Sequence, residues 1–220
     1  MIREFLKLLR KDNLLIQAGT ECEEMLDLSH DMVLASVESL RQRDDASIDI
    51  DIYEVDKRLN AFERDVRRKV MIHLSMGHSE DISGGLVLVS IVIDIERIGD
   101  YSKNIHDLAR NHPKRLHAGE LEEQLVAIES EALTYFDRTV KAFKAGNQAE
   151  ARLLMEEYKT DISKRCGALE ETLVSGRVEL SSADAVTLAL YMRFLKRISA
   201  HSRNLISSLV NPFDRIGYRE

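Results

Sequence analysis

The stretch "DIERIGDYSKNI", residues 94–105, follows without a break on the apolar run "LVLVSIVI", residues 86–93. No proline or turn signal separates the two, so both belong to one helix that changes from apolar to amphipathic along its length. On a 3.6-residue helix, residues four apart lie about 40° from one another. Glu96, Asp100, Asn104 and Asp107 therefore share one stripe. Like charges at i,i+4 cost a few tenths of a kcal/mol, so Glu96 and Asp100 require cations nearby: Lys or Arg side chains, or a metal ion. On the other side, Leu88, Val92, Ile95, Ser102 and Ala109 form an apolar seam spaced by threes, fours and sevens.

The same period runs through the rest of the chain. Leu14, Ala18, Cys22, Met25, Ser29, Val33, Val37 and Leu40 mark a first long helix, weakened at Gly19. "RDDASID" (43–49) is a polar connection. Ile52, Val55, Leu59, Phe62, Val66 and Val70 mark a second helix. "SMGHSEDISGG" (75–85) is a turn, with Ser79 or Asp81 as candidate N-cap of the third helix. Pro113 stops that helix, and "NHPKRLHAGE" links onward. A fourth seam comprises Leu125, Ile128, Ala132, Tyr135, Thr139 and Ala142. Asn147 caps a fifth helix, with Glu150 as its capping-box partner and Leu154, Tyr158, Ile162, Leu169 and Leu173 as its seam. A sixth runs from Val186 to about Val210, ahead of Pro212. These seams predict an all-α chain: six long helices in two tandem three-helix bundles, preceded by a short amphipathic N-terminal helix. The expected units are a terminal segment 1–12, a first bundle 13–112, a linker 113–119, a second bundle 120–211 and a tail 212–220.

A shift of 100 residues relates the halves. "DIERIGDYSKNI" aligns with "RFLKRISAHSRNL" (193–205), and Asn104 falls on Asn204. "EVDKRLN" (54–60) resembles "EYKTDIS" (157–163).

Composition limits the function. The net charge of −7 gives no bulk attraction to nucleic acid. The basic cluster Arg64, Arg67, Arg68 and Lys69 is interleaved with Glu63 and Asp65 and reads as a solvated face. Cys22 and Cys166 fit no metal-ligand spacing and read as reduced and buried. The start lacks an apolar core of signal-peptide length, and the longest apolar run is too short to span a bilayer. A soluble, cytoplasmic protein is expected. "ISGGL" lacks the lysine and preceding strand of a phosphate loop. Asp27 and His30 form a single D-x-x-H without the second copy that a di-iron bundle needs. No Ser-His-Asp or Cys-His set can be assembled, so no catalytic residue is assigned and an enzyme is not expected. His30 and His73 read as core or boundary histidines; His78, His112, His117 and His201 read as exposed.

Asp56 and Asn60 sit at the edge of the second seam, and Glu63 continues that line. Antiparallel packing of the second and third helices can bring Asp56, Asn60, Glu96 and Asp100 onto one surface. Oxygen donors of this kind suit divalent ions and ferric iron. Gly99, which costs about 1 kcal/mol inside a helix, points to a close helix contact there. Asp94, Glu63 and Asn104 are additional candidates.

An "ERIGD…N" helix preceded by an acidic (D/E)xxx(D/N) helix, in tandem three-helix bundles, resembles the PhoU family of phosphate-uptake regulators. The resemblance spans residues 13 to about 210 and is concentrated in the first half. It implies metal ions, iron or zinc foremost, held by the acidic motifs. Glu96 and Asp100 carry over directly; Asp56 and Asn60 carry over with Asn in place of the commoner acid. It also implies a cytoplasmic regulator that docks on a phosphate transporter or its sensor histidine kinase, reaching the membrane through that partner, and that self-associates as a homodimer. A helical metal-binding or structural protein with no part in phosphate signalling is the alternative.

The second half departs from the pattern. Lys159, Ser163, Lys196 and Ala200 fall on Asp56, Asn60, Glu96 and Asp100, and two lysines there repel a cation. Glu157 and Asp161 form an out-of-phase pair expected to meet Lys196 or Arg197. The corresponding non-metal reading of the first half is neutralisation of Glu96 and Asp100 by Lys103 and by Lys57 or Arg58.

Overall fold

The computed structural model describes residues 13–160 and 162–218, with Lys159 and Thr160 as helical backbone alone. The expected N-terminal helix, residues 1–12, lies outside the described residues. Of those described, 81% are helical and none is in a strand. The elements are α1 (Leu14–Gln42), α2 (Ile52–Ser75), α3 (Ile82–Asn111), α4 (Glu122–Lys144), α5 (Gln148–Thr160), α6 (Ile162–Val174) and α7 (Ser182–Ser207). Short 3₁₀ turns at Ser79–Asp81, Gly119–Leu121 and Phe213–Arg215 complete the set.

Each helix buries most of the seam that its spacing predicts, with Val55, Phe62, Leu88, Tyr158 and Leu173 half-buried against the core. Ala18, Cys22, Met25, Ser29, Val33, Val37 and Leu40 of α1 are buried, as are Ile52, Leu59, Val66 and Val70 of α2. In α4 all six predicted positions, Leu125 through Ala142, are buried. Both cysteines are free and buried, and burial pushes their thiols up to about 12. Asn13, Asp51 and Ser181 cap α1, α2 and α7 through their side chains.

Helix α2 packs on α1 and α3; α5 and α6 pack on α4 and α7. The two groups are joined where α3 meets α7 and α1 meets α4. The packing thus closes a central ring, α1–α3–α7–α4, with α2 flanking one side and α5 and α6 the other. The α3–α7 pair is antiparallel and pseudo-symmetric. Asp94 meets His201 across it, and Tyr101 meets Phe194 with ring centroids 5.8 Å apart. The 100-residue shift converts each of these contacts into the other, the signature of an isologous interface. Buried serines repeat at the same shift: Ser102 Oγ donates to Ile98 O, and Ser202 Oγ to Ile198 O, each at 2.8 Å.

Polar side chains lock this junction. Arg41 bonds Leu116 O and Glu122 and donates from Nε to Glu129 at 2.9 Å. Glu129 also accepts from Tyr191 Oη at 2.7 Å. His112 meets Asp184 at 3.0 Å. His112 and His201 are therefore buried partners of carboxylates, not the exposed histidines that sequence suggests. The reason lies on the opposite half, which supplies an acid to each.

Three further expectations change. Neither Ser79 nor Asp81 caps α3 through its side chain: they lie in the 3₁₀ turn, and Asp81 bonds His73 instead. Asn147 does cap α5, accepting from Glu150 N at 3.1 Å. Glu150, however, turns its side chain to Arg138 at 2.7 Å rather than back to the cap. Lys69 is half-buried rather than on a solvated face: it clips α2 to Glu21 of α1 while also meeting Asp65.

Candidate functional site

The acidic surface lies where α2 and α3 run side by side. It exists because Gly99 lets the helices close up: a Cβ at Gly99 would overlap Leu59 Cδ1 and sit 3.7 Å from Met32 Sδ. Leu59 is fully buried, so the missing side chain brings the α2 and α3 edges within reach of one another.

Lys103 spans that edge. Its Nζ donates to Asp56 Oδ1 at 2.8 Å and to Asp100 Oδ1 at 3.2 Å. Burial opposes its charge, but the two carboxylates outweigh burial and raise its affinity for the proton. Arg97 meets Asp100 at 3.0 Å and Glu96 at 3.6 Å. Glu63 pairs with Arg67 at 2.9 Å. Lys57, a candidate partner for Glu96 and Asp100, pairs with Glu54 on its own helix instead.

Glu96 is the group under most electrostatic pressure. Its side chain is 11% exposed. Burial, then the charge of Asp100, then those of Glu63 and Asp56 hold its carboxyl above the ordinary carboxylate range, with Arg97 opposing them. The arrangement thus assembles Asp56, Glu96, Asp100 and Glu63 into one field of negative charge. Asn60 is half-buried, and its Nδ2 donates to Asp56 O at 2.9 Å. Its amide is thereby oriented within α2. Asn104 is half-buried on the same stripe. Asp107, at the end of the stripe, accepts from Tyr53 Oη at 2.5 Å.

Asp94 does not belong to this surface. Two residues from Glu96 on a helix is about 200° of rotation, and its carboxylate faces α7. It meets His201 Nδ1 at 2.7 Å and accepts from Asn204 Nδ2 at 2.9 Å. Its role is to join the halves. An acid inside the run 86–95 was a visible signal that it needed a partner; which partner depended on the fold.

The second half differs as its sequence implies, with two corrections. Glu157 pairs with Arg138 of α4 at 2.6 Å rather than with Lys196 or Arg197; Asp161 and the Lys159 side chain lie outside the described residues. Lys196 meets Glu170 at 3.8 Å, so a carboxylate does stand beside the lysine, from a position the repeat alignment does not use. Arg197 turns to Tyr101 and His201.

The first half offers carboxylate oxygens of the kind a hard or intermediate cation takes, on adjoining helices, but no three of Asp56, Glu63, Glu96 and Asp100 bring ligand atoms within 4.8 Å of one another. A cationic group, Lys103, already bridges two of them.

Residues 22–109 match the family model described as PhoU domain. No curated protein matches the chain. Among solved structures, the phosphate transport system regulatory protein PhoU from Streptococcus pneumoniae is similar with a TM-score of 0.65 at 18% identity. That match covers 93% of this chain and 94% of the other. PhoU from Pseudomonas aeruginosa is similar with a TM-score of 0.63 at 19% identity, covering 96% and 97% of the two chains.

Proposed function

We propose that this chain, whose residues 22–109 match the PhoU domain model, regulates phosphate transport by contact with other proteins, not by catalysis. The second bundle, 120–211, is read as a degenerate copy of the same unit. The single observation carrying the proposal is that the matched segment contains the acidic α2–α3 surface, Asp56, Glu96 and Asp100. Among the described residues no helix is long and apolar enough to cross a membrane. We place the action in the cytoplasm, on the cytoplasmic face of a phosphate transporter or on its sensor histidine kinase, with a homodimer as the working assembly.

In this reading the acidic surface holds a divalent or ferric ion, iron or zinc first. Asp56, Glu96 and Asp100 supply carboxylate oxygens, with Asn60 and Glu63 at the margin. A cation there offsets the repulsion that raises the proton affinity of Glu96, and Lys103 and Arg97 swing aside to admit it. Lys103 is then an internal substitute for the metal, so the α2–α3 edge has two neutralised states. The ion's contribution is electrostatic and structural: it ties α2 to α3 and sets the shape that a partner meets.

The test is genetic. Deleting the gene should change phosphate uptake and the expression of phosphate-starvation genes, and the wild-type chain should restore both. If both readouts stay at their parental values in the deletion strain, the alternative of a helical metal-binding protein without a signalling role takes its place.

A further inference from the structure

A different group of ligands lies at the other end of α2. His73 and Asp56 are 17 positions apart on this helix, about 25 Å at 1.5 Å per residue. There His73, His78 and Asp81 each place one ligand atom within 4.8 Å of the other two. We propose that these three residues form a second metal site, for a borderline divalent ion such as Zn²⁺. This inference is independent of the function proposed above.

The fold builds the site in steps. Helix α2 ends at Ser75, and Gly77 reverses the chain with a φ of +95°. His78 returns over the helix end, its ring stacked on that of His73 with centroids 4.4 Å apart and planes at 13°. Gly85 then lets the first turn of α3 press against α2: a Cβ there would stand 3.0 Å from Val70 Cγ1 and 3.1 Å from Leu74 Cδ1. That approach carries Asp81 to His73, Oδ2 to Nε2 at 2.7 Å.

Two features favour coordination over a simple clasp. Asp81 stands at the N-cap position of α3 yet makes no side-chain capping bond, so its carboxylate forgoes a stabilising contact to face the histidines. The cluster is also graded in access: the His73 side chain is 5% exposed, Asp81 35% and His78 45%. A buried ligand anchors the ion while two more exposed ones face it from the solvent side. Two imidazoles and one carboxylate match the ligand preferences of zinc, which binds nitrogen and oxygen at about 2.0–2.2 Å. Closure requires the His78 ring to fan away from the His73 ring so that their lone pairs converge, a movement its position in the turn permits. Glu80, 3.6 Å from His78 Nδ1, or a water completes four-coordination. The donors here are nitrogen-rich, whereas those on the Asp56–Asp100 surface are all oxygen, so this site has the stronger preference for a borderline ion.

The experiment uses the full chain carrying Glu96→Ala and Asp100→Ala, stripped of metal and titrated with Zn²⁺ by calorimetry. We expect one equivalent of Zn²⁺ to bind. Adding His78→Ala, a change in an open turn, or Asp81→Asn, which retains an acceptor for His73, should each weaken that binding at least tenfold while the helical circular dichroism stays unchanged. Absence of Zn²⁺ uptake in the Glu96→Ala/Asp100→Ala chain, or undiminished uptake after either added change, overturns the site.

Discussion

At the scale of single residues, Gly99 and Glu96 set the character of the acidic edge. Gly99→Ala would gain about 1 kcal/mol of helix propensity but drive a methyl group into buried Leu59; overpacking of this kind costs about 1–3 kcal/mol. We expect a net loss near 1 kcal/mol by chemical denaturation. Gly19→Ala is the control: nothing lies within 4 Å of its added Cβ, and it should stabilise by about 0.5–1 kcal/mol. The Glu96 carboxyl is held above the usual range chiefly by burial, then by Asp100. A proton is thus bound more readily by the folded chain than by the unfolded one. The associated stability is fully present below the unfolded pKa and is lost as pH rises through the folded pKa. Glu96→Gln in metal-free protein should therefore raise the melting temperature at neutral pH, by about 1 °C for a few tenths of a kcal/mol. The gain should shrink as the pH falls through the carboxylate range. The role of Gly99 was legible in the sequence because a glycine between carboxylates in a helix needs a reason. The destination of Asp94 was not, because His201 and Asn204 are 107 and 110 positions away.

At the scale of elements, the three-and-four spacing located the helices because burying one stripe is what stabilises a helix in a bundle. Their ends were less legible. Asn147 reads as a cap and is one, and Asn147→Ala should cost about 1 kcal/mol in a thermal or denaturant melt. Asp81 also reads as a cap and is not, because His73, on another element, takes its carboxylate. Glu150 is drawn from its capping box in the same way, by Arg138. Local sequence contains the capping donor and acceptor, but not the competitor that the fold brings up.

At the scale of the whole molecule, the tandem units merge through the α1–α3–α7–α4 ring. The 100-residue repeat foretold two similar halves. It did not foretell that the third helix of each would pair with the other, since an internal repeat specifies the units and not their interface. That interface is polar as well as apolar, and Asp94→Ala would leave buried His201 and half-buried Asn204 without this acceptor. Orphaning buried donors costs about 1–3 kcal/mol each, so we expect a loss of about 2–4 kcal/mol in global stability, with helix content retained below the transition. Of the acidic edge, Glu96 and Asp100 were legible because helix phase puts them on one side of α3; Asp56, on α2, joins them only through the antiparallel packing of the two helices. The bridging lysine was foreseen for Asp100 but not for Asp56. The cation site proposed for this edge can be tested by metal content. Elemental analysis of purified full-length protein tests it most directly, with His78→Ala and Asp81→Asn present throughout to remove the second site. We expect bound metal in that protein and none once Glu96→Ala and Asp100→Ala are added. Equal metal content in the two proteins, or none in either, would contradict it.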